Sequence, residues 1–147
     1  MQEVISWDTM ISSGMKKYIL LILPLLMVSC ASLPPEARNF VSTHFPNAKI
    51  VEVEREDNGQ RFSVEMSDKT EIEFTRDGNW VKVEAEDGNS IPTTFLPKAI
   101  AEYAAKNGLI IEGISKTNIG FRVDFVGNAP DAYFDSKGDL VNTNYNY

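Results

Sequence analysis

Few side chains in this chain could act as nucleophile or catalytic base. His44 is the only histidine and Cys30 the only cysteine. A serine or cysteine nucleophile needs a neighbouring base, and no such pair has independent support here. His44 follows Phe40 by one helical turn, so it is predicted to be a partly buried side chain at a helix end. The sequence therefore predicts no catalytic residue, no metal site and no cofactor, and we expect a protein that is not an enzyme.

Aspartates are frequent, but they occur in turns. Asp57, Asp77, Asp87 and Asp135 lie in or beside glycine-containing turns. None of them completes the alternating Asp/Asn ligands and terminal glutamate of a calcium loop. They are predicted to be turn formers, a position that aspartate favours because its side chain accepts hydrogen bonds from nearby backbone N–H groups.

The side chains that could support binding are charged and aromatic residues at alternate positions in predicted strands. The chain has 14 basic and 21 acidic residues and a net charge of −7, which disfavours nucleic acid and anionic lipid as partners. Two interpretations remain open: a solvated sheet face kept soluble by its charge, or an acidic docking surface with an aromatic anchor. The candidate partner-binding residues are Glu52, Glu54, Arg61, Glu65, Glu71, Glu73, Trp80, Lys82, Glu84 and Tyr133.

The candidate binding residues must be positioned by secondary-structure elements, and the sequence pattern of these elements occurs twice in the chain. The segments "LPPEARNFVSTHFPNAKIVEVE" and "LPKAIAEYAAKNGLIIEGIS" share a Leu-Pro start followed by apolar residues at helical spacing. Proline is tolerated in the first helical turn, where its missing N–H would be unpaired anyway. Helices are predicted over about residues 35–45 and 97–107, with Gly108 as the C-terminal cap of the second.

After each helix the apolar period changes from 3.6 to 2, the pattern of half-buried antiparallel strands. Asn58-Gly59 predicts a type I′ hairpin turn. In the fourth strand the alternation points Val81, Val83 and Ala85 inward and Trp80 outward; with the reverse parity Trp80 is core. The inward residues of the other strands, and their counterparts in the second copy, are Val51, Val53, Phe62, Val64, Met66, Ile72, Phe74, Phe121, Val123, Phe125 and Phe134.

The predicted fold is α+β: two tandem helix-then-four-strand repeats form a shared antiparallel sheet, with both helices on one face and the other face exposed to solvent. The repeats cover residues 33–86 and 95–145 of a single domain spanning 32–147. Each repeat alone would bury too little surface to be stable, so we expect one shared core. Its aromatic members should be Phe40, Phe62, Phe74, Tyr103, Phe121 and Phe134.

The two helix starts, the stretch "FSVEMSDKTEIEFTRDGNWVKVE" and the stretch "FDSKGDLV" resemble the PepSY-like family of exported proteins described as β-lactamase-inhibitor-like. The similarity covers residues 33 to about 143. It implies a tandem-repeat fold with a solvent-facing sheet surface, a periplasmic or surface location, and a binding or inhibitory role instead of catalysis. The second copy departs from the pattern where "GNAPDAY" replaces "SDKTEIE".

The amino-terminal region has the layout of an export signal. Lys16 and Lys17 precede an eleven-residue apolar run, residues 18–28, which is shorter than the roughly 20 residues of a membrane span. Residues 1–14 carry no basic residue and are interpreted as an upstream mis-start or an extension, with residues 15–31 as the signal peptide. Two processing routes remain open: acylation of Cys30, which sits at a lipobox-like position, or cleavage after Ala31.

The sequence thus predicts a non-enzymatic exported binding module that engages a protein partner, one with a basic surface, through the exposed sheet face, and inhibition is one form this could take. The alternative is an envelope structural or accessory lipoprotein with no inhibitory role. The predicted location is periplasmic or outer-membrane-associated. Contact with the membrane is expected only through a lipid anchor on Cys30.

Overall fold

A computed structural model describes residues 33–142 of the protein. The predicted signal peptide and Cys30 lie outside the described residues. Within them the chain forms two helices and one eight-stranded sheet in which every neighbouring pair is antiparallel and the strands lie side by side in chain order. The α+β class is therefore confirmed. The elements are α1 (Pro35–His44), β1 (Ile50–Glu56), β2 (Arg61–Met66), β3 (Glu71–Thr75), β4 (Trp80–Glu84), α2 (Lys98–Lys106), β5 (Ile111–Lys116), β6 (Gly120–Phe125), β7 (Ala132–Asp135) and β8 (Leu140–Asn142).

One face of the sheet, here called the core face, is defined by apolar residues that pair from strand to strand. Phe40 of α1 packs on Phe74 with ring centroids 5.7 Å apart, and Tyr103 of α2 packs on Phe134 at 5.3 Å. All six predicted core aromatics belong to one cluster, either buried in it or packed against it, which confirms that prediction. The central row of the core face is Val53, Val64, Ile72, Val83, Ile114, Val123 and Ala132.

Both helices begin directly after a proline, α1 at the predicted Pro35 and α2 at Lys98, one residue after the predicted start. Pro34 and Pro97 precede the first helical residues and bring the buried side chains of Leu33 and Leu96 into the core. Gly108, at φ +64°, ends α2, where the N–H of Leu109 donates to the carbonyl oxygen of Ala104 at 2.9 Å. This bond is typical of a glycine C-terminal cap. Within the described residues, neither helix is long and apolar enough to cross a membrane.

Glycines at two hairpin turns allow a close approach between sheet and helix. Gly78 and Gly138 both have φ +89° and lie in the β3–β4 and β7–β8 turns. A Cβ atom on Gly78 would lie 2.9 Å from the backbone nitrogen of Ala37, at the start of α1, and a Cβ atom on Gly138 would lie 3.1 Å from Cβ of Pro97, at the start of α2. Each turn therefore meets the first turn of the helix that precedes its own four strands.

The β1–β2 connection confirms the predicted Asn-Gly turn. Asn58 and Gly59 have φ values of +55° and +85°, as a type I′ turn requires. The N–H of Gln60 donates to the carbonyl oxygen of Asp57 at 3.2 Å and closes the turn.

The predicted orientation of Trp80 is wrong. Glu73 pairs with Lys82 but Phe74 pairs with Trp80, so one extra residue of β4 is accommodated in a β-bulge. A bulge of one residue reverses the alternation of side chains. Val83 and Ala85 are buried as predicted, whereas Val81 is only half-buried and Trp80 turns to the core face beside Phe74. The predicted inward orientation of Val51 is also wrong, because the strand is irregular between Ile50 and Glu52 and the side chain of Val51 is 54% exposed.

Candidate functional site

The opposite face of the sheet, here called the charged face, carries most of the predicted binding residues. Cross-strand pairing places Glu52 opposite Glu65, Glu65 opposite Glu71, and Glu71 opposite Glu84. Residues directly opposite each other in an antiparallel sheet have Cβ atoms about 4.5–5.5 Å apart. Four glutamates therefore form one line across four strands.

A fifth carboxylate continues this line in the second half of the sheet. Gly113 pairs with Glu84 on one side and with Asp124 on the other. A Cβ atom on Gly113 would lie 3.3 Å from Oδ2 of Asp124 and 3.6 Å from Cγ of Glu84, so the two side chains meet over the glycine. We call Glu52, Glu65, Glu71, Glu84 and Asp124 the carboxylate row.

The row is only partly neutralised by nearby cations. Lys69 Nζ lies 2.9 Å from a carboxylate oxygen of Glu65, and Lys82 pairs with Glu84. Partial burial acts to lower the pKa of Lys82, but the hydrogen bond and charge of Glu84 outweigh it and raise that pKa. Such partly exposed pairs contribute little to stability, typically about 0–1 kcal/mol. The row thus retains an excess of negative charge.

A second, more mixed row lies beside the first. It pairs Glu54 with Ser63, Ser63 with Glu73, and Glu73 with Lys82; Arg61 Nη1 reaches Glu73 from the next position of β2, at 3.4 Å. The row then continues through three further residues, which are Ser115, Arg122 and Tyr133.

Arg122 organises the acidic residues of the second half. Its guanidinium donates to Asp131 Oδ2 through Nε at 2.9 Å and contacts the same oxygen through Nη2 at 2.9 Å. Nη2 also lies 2.9 Å from Oδ1 of Asp124. Burial raises the pKa of the Asp124 carboxyl, Arg122 opposes this, and the charges of Asp131 and Glu84 reinforce it. Ionised Asp124 is therefore unfavourable to folding above that pKa, and the penalty disappears as the pH falls through it.

A shallow groove of about 270 Å³ lies over the first strands of the charged face, and its lining residues are Glu52, Glu54, Glu56, Ser63, Glu65, Lys69 and Glu71. Across residues 33–142 no group of three or more His, Cys, Asp or Glu side chains has the geometry to hold a metal ion. Pairing along strands keeps neighbouring carboxylates in a line and does not let them converge on one point. The arrangement therefore suits an extended array of cationic groups.

Neutralising one glutamate in the middle of the row is expected to stabilise the fold. Glu71→Gln removes like-charge repulsion from Glu65 and Glu84 and should raise the free energy of unfolding by about 0.2–1 kcal/mol. The substitution retains the acceptor oxygen that faces Ser63 Oγ. Denaturant unfolding at low and high ionic strength measures the effect, which should shrink as salt screens the charges.

The matched control is Glu102→Gln, whose carboxylate lies 3.1 Å from Lys98 Nζ on an exposed face of α2. That variant should be neutral or slightly destabilising, because it removes an attraction. A loss of stability in Glu71→Gln at low salt would contradict the repulsion inferred for the row.

The structure places nine of the ten candidate binding residues on the charged face. Trp80 is the exception, since its ring packs against Phe40, Phe95 and Phe121 at the core face. Tyr133 lies on the charged face beside Arg122, so among residues 33–142 it is an aromatic residue that could serve as an anchor there.

The structural roles predicted for His44 and Asp135 are confirmed. His44 is half-buried at the end of α1 against the ring of Phe95, and its Nδ1 lies 2.8 Å from Thr94 Oγ1. Asp135 Oδ1 accepts hydrogen bonds from the N–H groups of Lys137 and Asp139, both at 2.9 Å, and closes the β7–β8 turn. These backbone bonds lower the pKa of Asp135.

Sequence reasoning missed Asp124, Arg122 and Asp131 as parts of the charged face. The signal was present, since Arg122 and Asp124 alternate with the apolar residues Phe121 and Val123 that the pattern assigns inward. Asp131 lies before β7 in the "GNAPDAY" segment, where no alternation pointed to its position.

The fold and the doubled match to one family model define the class of this protein. The model described as "Putative beta-lactamase-inhibitor-like, PepSY-like" matches residues 25–65 and 60–142. The chain belongs to this PepSY-like family, which confirms the resemblance seen in its motifs. Among curated protein sequences, no significant match to the chain was found.

Solved structures of similar fold include proteins from Bacteroides. The chain is similar to a protein from Bacteroides vulgatus ATCC 8482 described as a "putative periplasmic protein of unknown function", with 26% identity and a TM-score of 0.67, over 76% of this chain and 91% of that one. It is also similar to a "putative calcium-regulated periplasmic protein" from Bacteroides thetaiotaomicron, with 24% identity and a TM-score of 0.66, over 76% and 90% of the two chains. A third, also from Bacteroides vulgatus ATCC 8482 and described as a "putative periplasmic protein", has 24% identity and a TM-score of 0.65, with the same coverage of 76% and 90%.

Proposed function

We propose that this protein is a non-enzymatic exported module that binds a protein partner with a basic surface through its charged face. The observation that carries the proposal is the carboxylate row. Its pairing juxtaposes like charges in three successive strand pairs, Glu52 with Glu65, Glu65 with Glu71, and Glu71 with Glu84. Directly opposed like charges destabilise a sheet, so a sheet built for solubility alone would be better served by mixed pairs.

The second row contains both acidic and basic residues, so the negative charge of the face changes in strength from one side of the sheet to the other. The excess of negative charge lies towards β1, while Arg122 and Lys82 balance the carboxylates towards the second half. A partner with a linear basic patch would be oriented by this gradient, because complementary potentials steer encounter and set register. Tyr133, at the less acidic end, supplies an aromatic contact of the kind enriched at interfaces.

In this proposal the two halves are repeats of one unit and both helices cover the core face, which leaves the charged face free. An exported location is supported by the periplasmic descriptions of the similar Bacteroides structures and by the predicted signal segment. Inhibition of an enzyme is the form of binding that the family description suggests. The alternative, an accessory lipoprotein held at the membrane through Cys30, predicts a diacylated amino terminus, and mass spectrometry of the exported protein detects it.

Charge reversal in the row tests the proposal. The exported protein should recover a basic partner from envelope extract, and the affinity should fall as salt is raised. The double variant Glu65→Lys/Glu71→Lys should weaken that binding by at least about thirtyfold, roughly 2 kcal/mol, as expected for removing two central charges. Quantitative titration of the recovered partner measures the change.

The matched control is Glu36→Lys/Glu102→Lys, which makes the same change in net charge on the exposed surfaces of the two helices. It should bind almost as the unmodified protein does. Equal losses of affinity in both double variants would mean that binding depends only on the net charge of the protein. Unchanged affinity in Glu65→Lys/Glu71→Lys would contradict the proposal.

A further inference from the structure

A second feature lies on the core face, where Trp80 and Lys116 meet. The Nζ atom of Lys116 is 4.2 Å from the centroid of the Trp80 ring. Lys116 pairs with Phe121 across β5 and β6, and the rings of Trp80 and Phe121 stack at 6.2 Å. Phe95 meets the Trp80 ring edge-on at 5.4 Å. We call Trp80, Phe95, Lys116 and Phe121 the aromatic seam.

The seam is more open than the core on either side of it. Phe74 pairs with Trp80 and Phe134 pairs with Phe121. Phe74 and Phe134 are 0% and 1% exposed, under the aromatic side chains of α1 and α2. The three aromatic side chains of the seam are each only half-buried. Ile119, in the turn between Lys116 and Phe121, is 55% exposed. An exposed apolar side chain therefore lies at the tip of the hairpin whose strands carry Lys116 and Phe121.

Lys116 is a cation without a counter-charge in this part of the protein. Other described cations, such as Lys49 and Lys106, also lack a carboxylate at ion-pair distance, but Lys116 is the one held 4.2 Å from the centroid of the Trp80 ring. No carboxylate of residues 33–142 comes within ion-pair distance of Lys116; the residue is exposed, and the partial burial of its ammonium group lowers the pKa of that group. A carboxylate brought to the seam would add an attraction that the protein itself does not supply.

We propose that the aromatic seam is a second docking surface, for a protein segment that carries an acidic residue beside an aromatic or aliphatic side chain. The apolar side chain would pack on Trp80, Phe121 and Ile119, and the carboxylate would pair with Lys116. The positive charge of Lys116 favours an acidic segment as the occupant of the seam. The charged face selects cations, whereas the seam presents one unpaired cation among apolar side chains, so the two surfaces take partners of opposite charge.

Selection from a peptide library tests this proposal while the natural partner is still unidentified. The full chain carrying Trp7→Phe has Trp80 as its single tryptophan, so Trp80 fluorescence reports occupancy of the seam. A random peptide library displayed on phage should yield sequences with Asp or Glu within two positions of an apolar residue. The enriched peptide, made synthetically, should change Trp80 fluorescence on titration.

Three variants separate a binding role from a structural one. Lys116→Gln should keep the thermal midpoint and weaken the peptide by at least about tenfold, the scale of one charge-assisted hydrogen bond. Lys116→Glu should restore binding to the same peptide with its acidic residue replaced by lysine. Lys49→Met, which removes an exposed lysine in the first half of the chain, should leave the affinity unchanged.

Several outcomes overturn the proposal. The selection could enrich no peptide, or basic peptides only. An enriched peptide could also bind the Lys116→Gln variant as tightly as it binds the protein with Lys116, or leave Trp80 fluorescence unchanged. If Lys116 merely shields the indole ring, Lys116→Glu will not swap the preferred charge of the peptide. Binding at the charged face can fail in its own test while this one succeeds, because the two use different residues and probes.

Discussion

Phe74→Ala is expected to lower the free energy of unfolding by about 3–5 kcal/mol, because a fully buried aromatic leaves both a transfer loss and a cavity. Phe74 is 0% exposed and is held between Phe62 and Trp80 on neighbouring strands, with the Phe40 ring edge-on above it. Strands on both sides and a helix above leave little room for collapse around the cavity. Urea unfolding followed by circular dichroism measures the loss as a shift of the midpoint.

Phe134→Ala should behave in the same way, since Phe134 is 1% exposed and packs against Tyr103 of α2. The control is Val51→Ala, at a position that is 54% exposed on the edge strand, where a change within about 0.5 kcal/mol is expected. A loss under about 1 kcal/mol at both phenylalanines is incompatible with their burial and with the cavity cost of such changes.

Gly78→Ala should be nearly as damaging, with an expected loss of about 2–5 kcal/mol. Gly78 has φ +89°, a conformation that costs a residue with a Cβ atom about 1–2 kcal/mol. The added Cβ would also lie 2.8 Å from Glu36 Cβ and 2.9 Å from the backbone nitrogen of Ala37. Relieving this overlap must shift the β3–β4 turn or the first turn of α1, which adds about 1–3 kcal/mol.

Gly88→Ala is a closely matched control for this prediction. Gly88 has φ +84°, and nothing lies within 4 Å of the Cβ it would gain. It should therefore show the conformational cost alone, and the difference between the two variants isolates the contact between turn and helix. Equal losses would mean that the turn is not held against α1.

Much of the charged face could be predicted from the sequence, because alternation is a local signal. Glu52 and Glu54 flank Val53, and Glu71 and Glu73 flank Ile72, so period 2 alone separates the two sides of each strand. The same rule would have found Arg122 and Asp124. What alternation does not show is which residue of one strand faces which residue of the next, so the carboxylate row emerged only with the pairing of strands.

Trp80 shows where local pattern fails. Read outward from Val83, strict alternation turns Trp80 away from the core, but the bulge at β4 inserts one residue and turns it back. The indole then fills space beside Phe40 and Phe95, which lie far from it in the chain. Burial of a large aromatic side chain outweighs the regular ladder there, at the expense of one irregular backbone pair.

The sequence by itself determined the helices, the strands, their turns and the family, because each rests on residues within a few positions of one another. Pro34, Gly108 and Asn58-Gly59 act through their own backbone conformations, and the glutamates through period 2. Only the tertiary structure decided the strand register, the bulges and the meeting of Lys116 with Trp80. These depend on contacts between residues distant in the chain, whose packing energies must be satisfied together, and no local pattern encodes that balance.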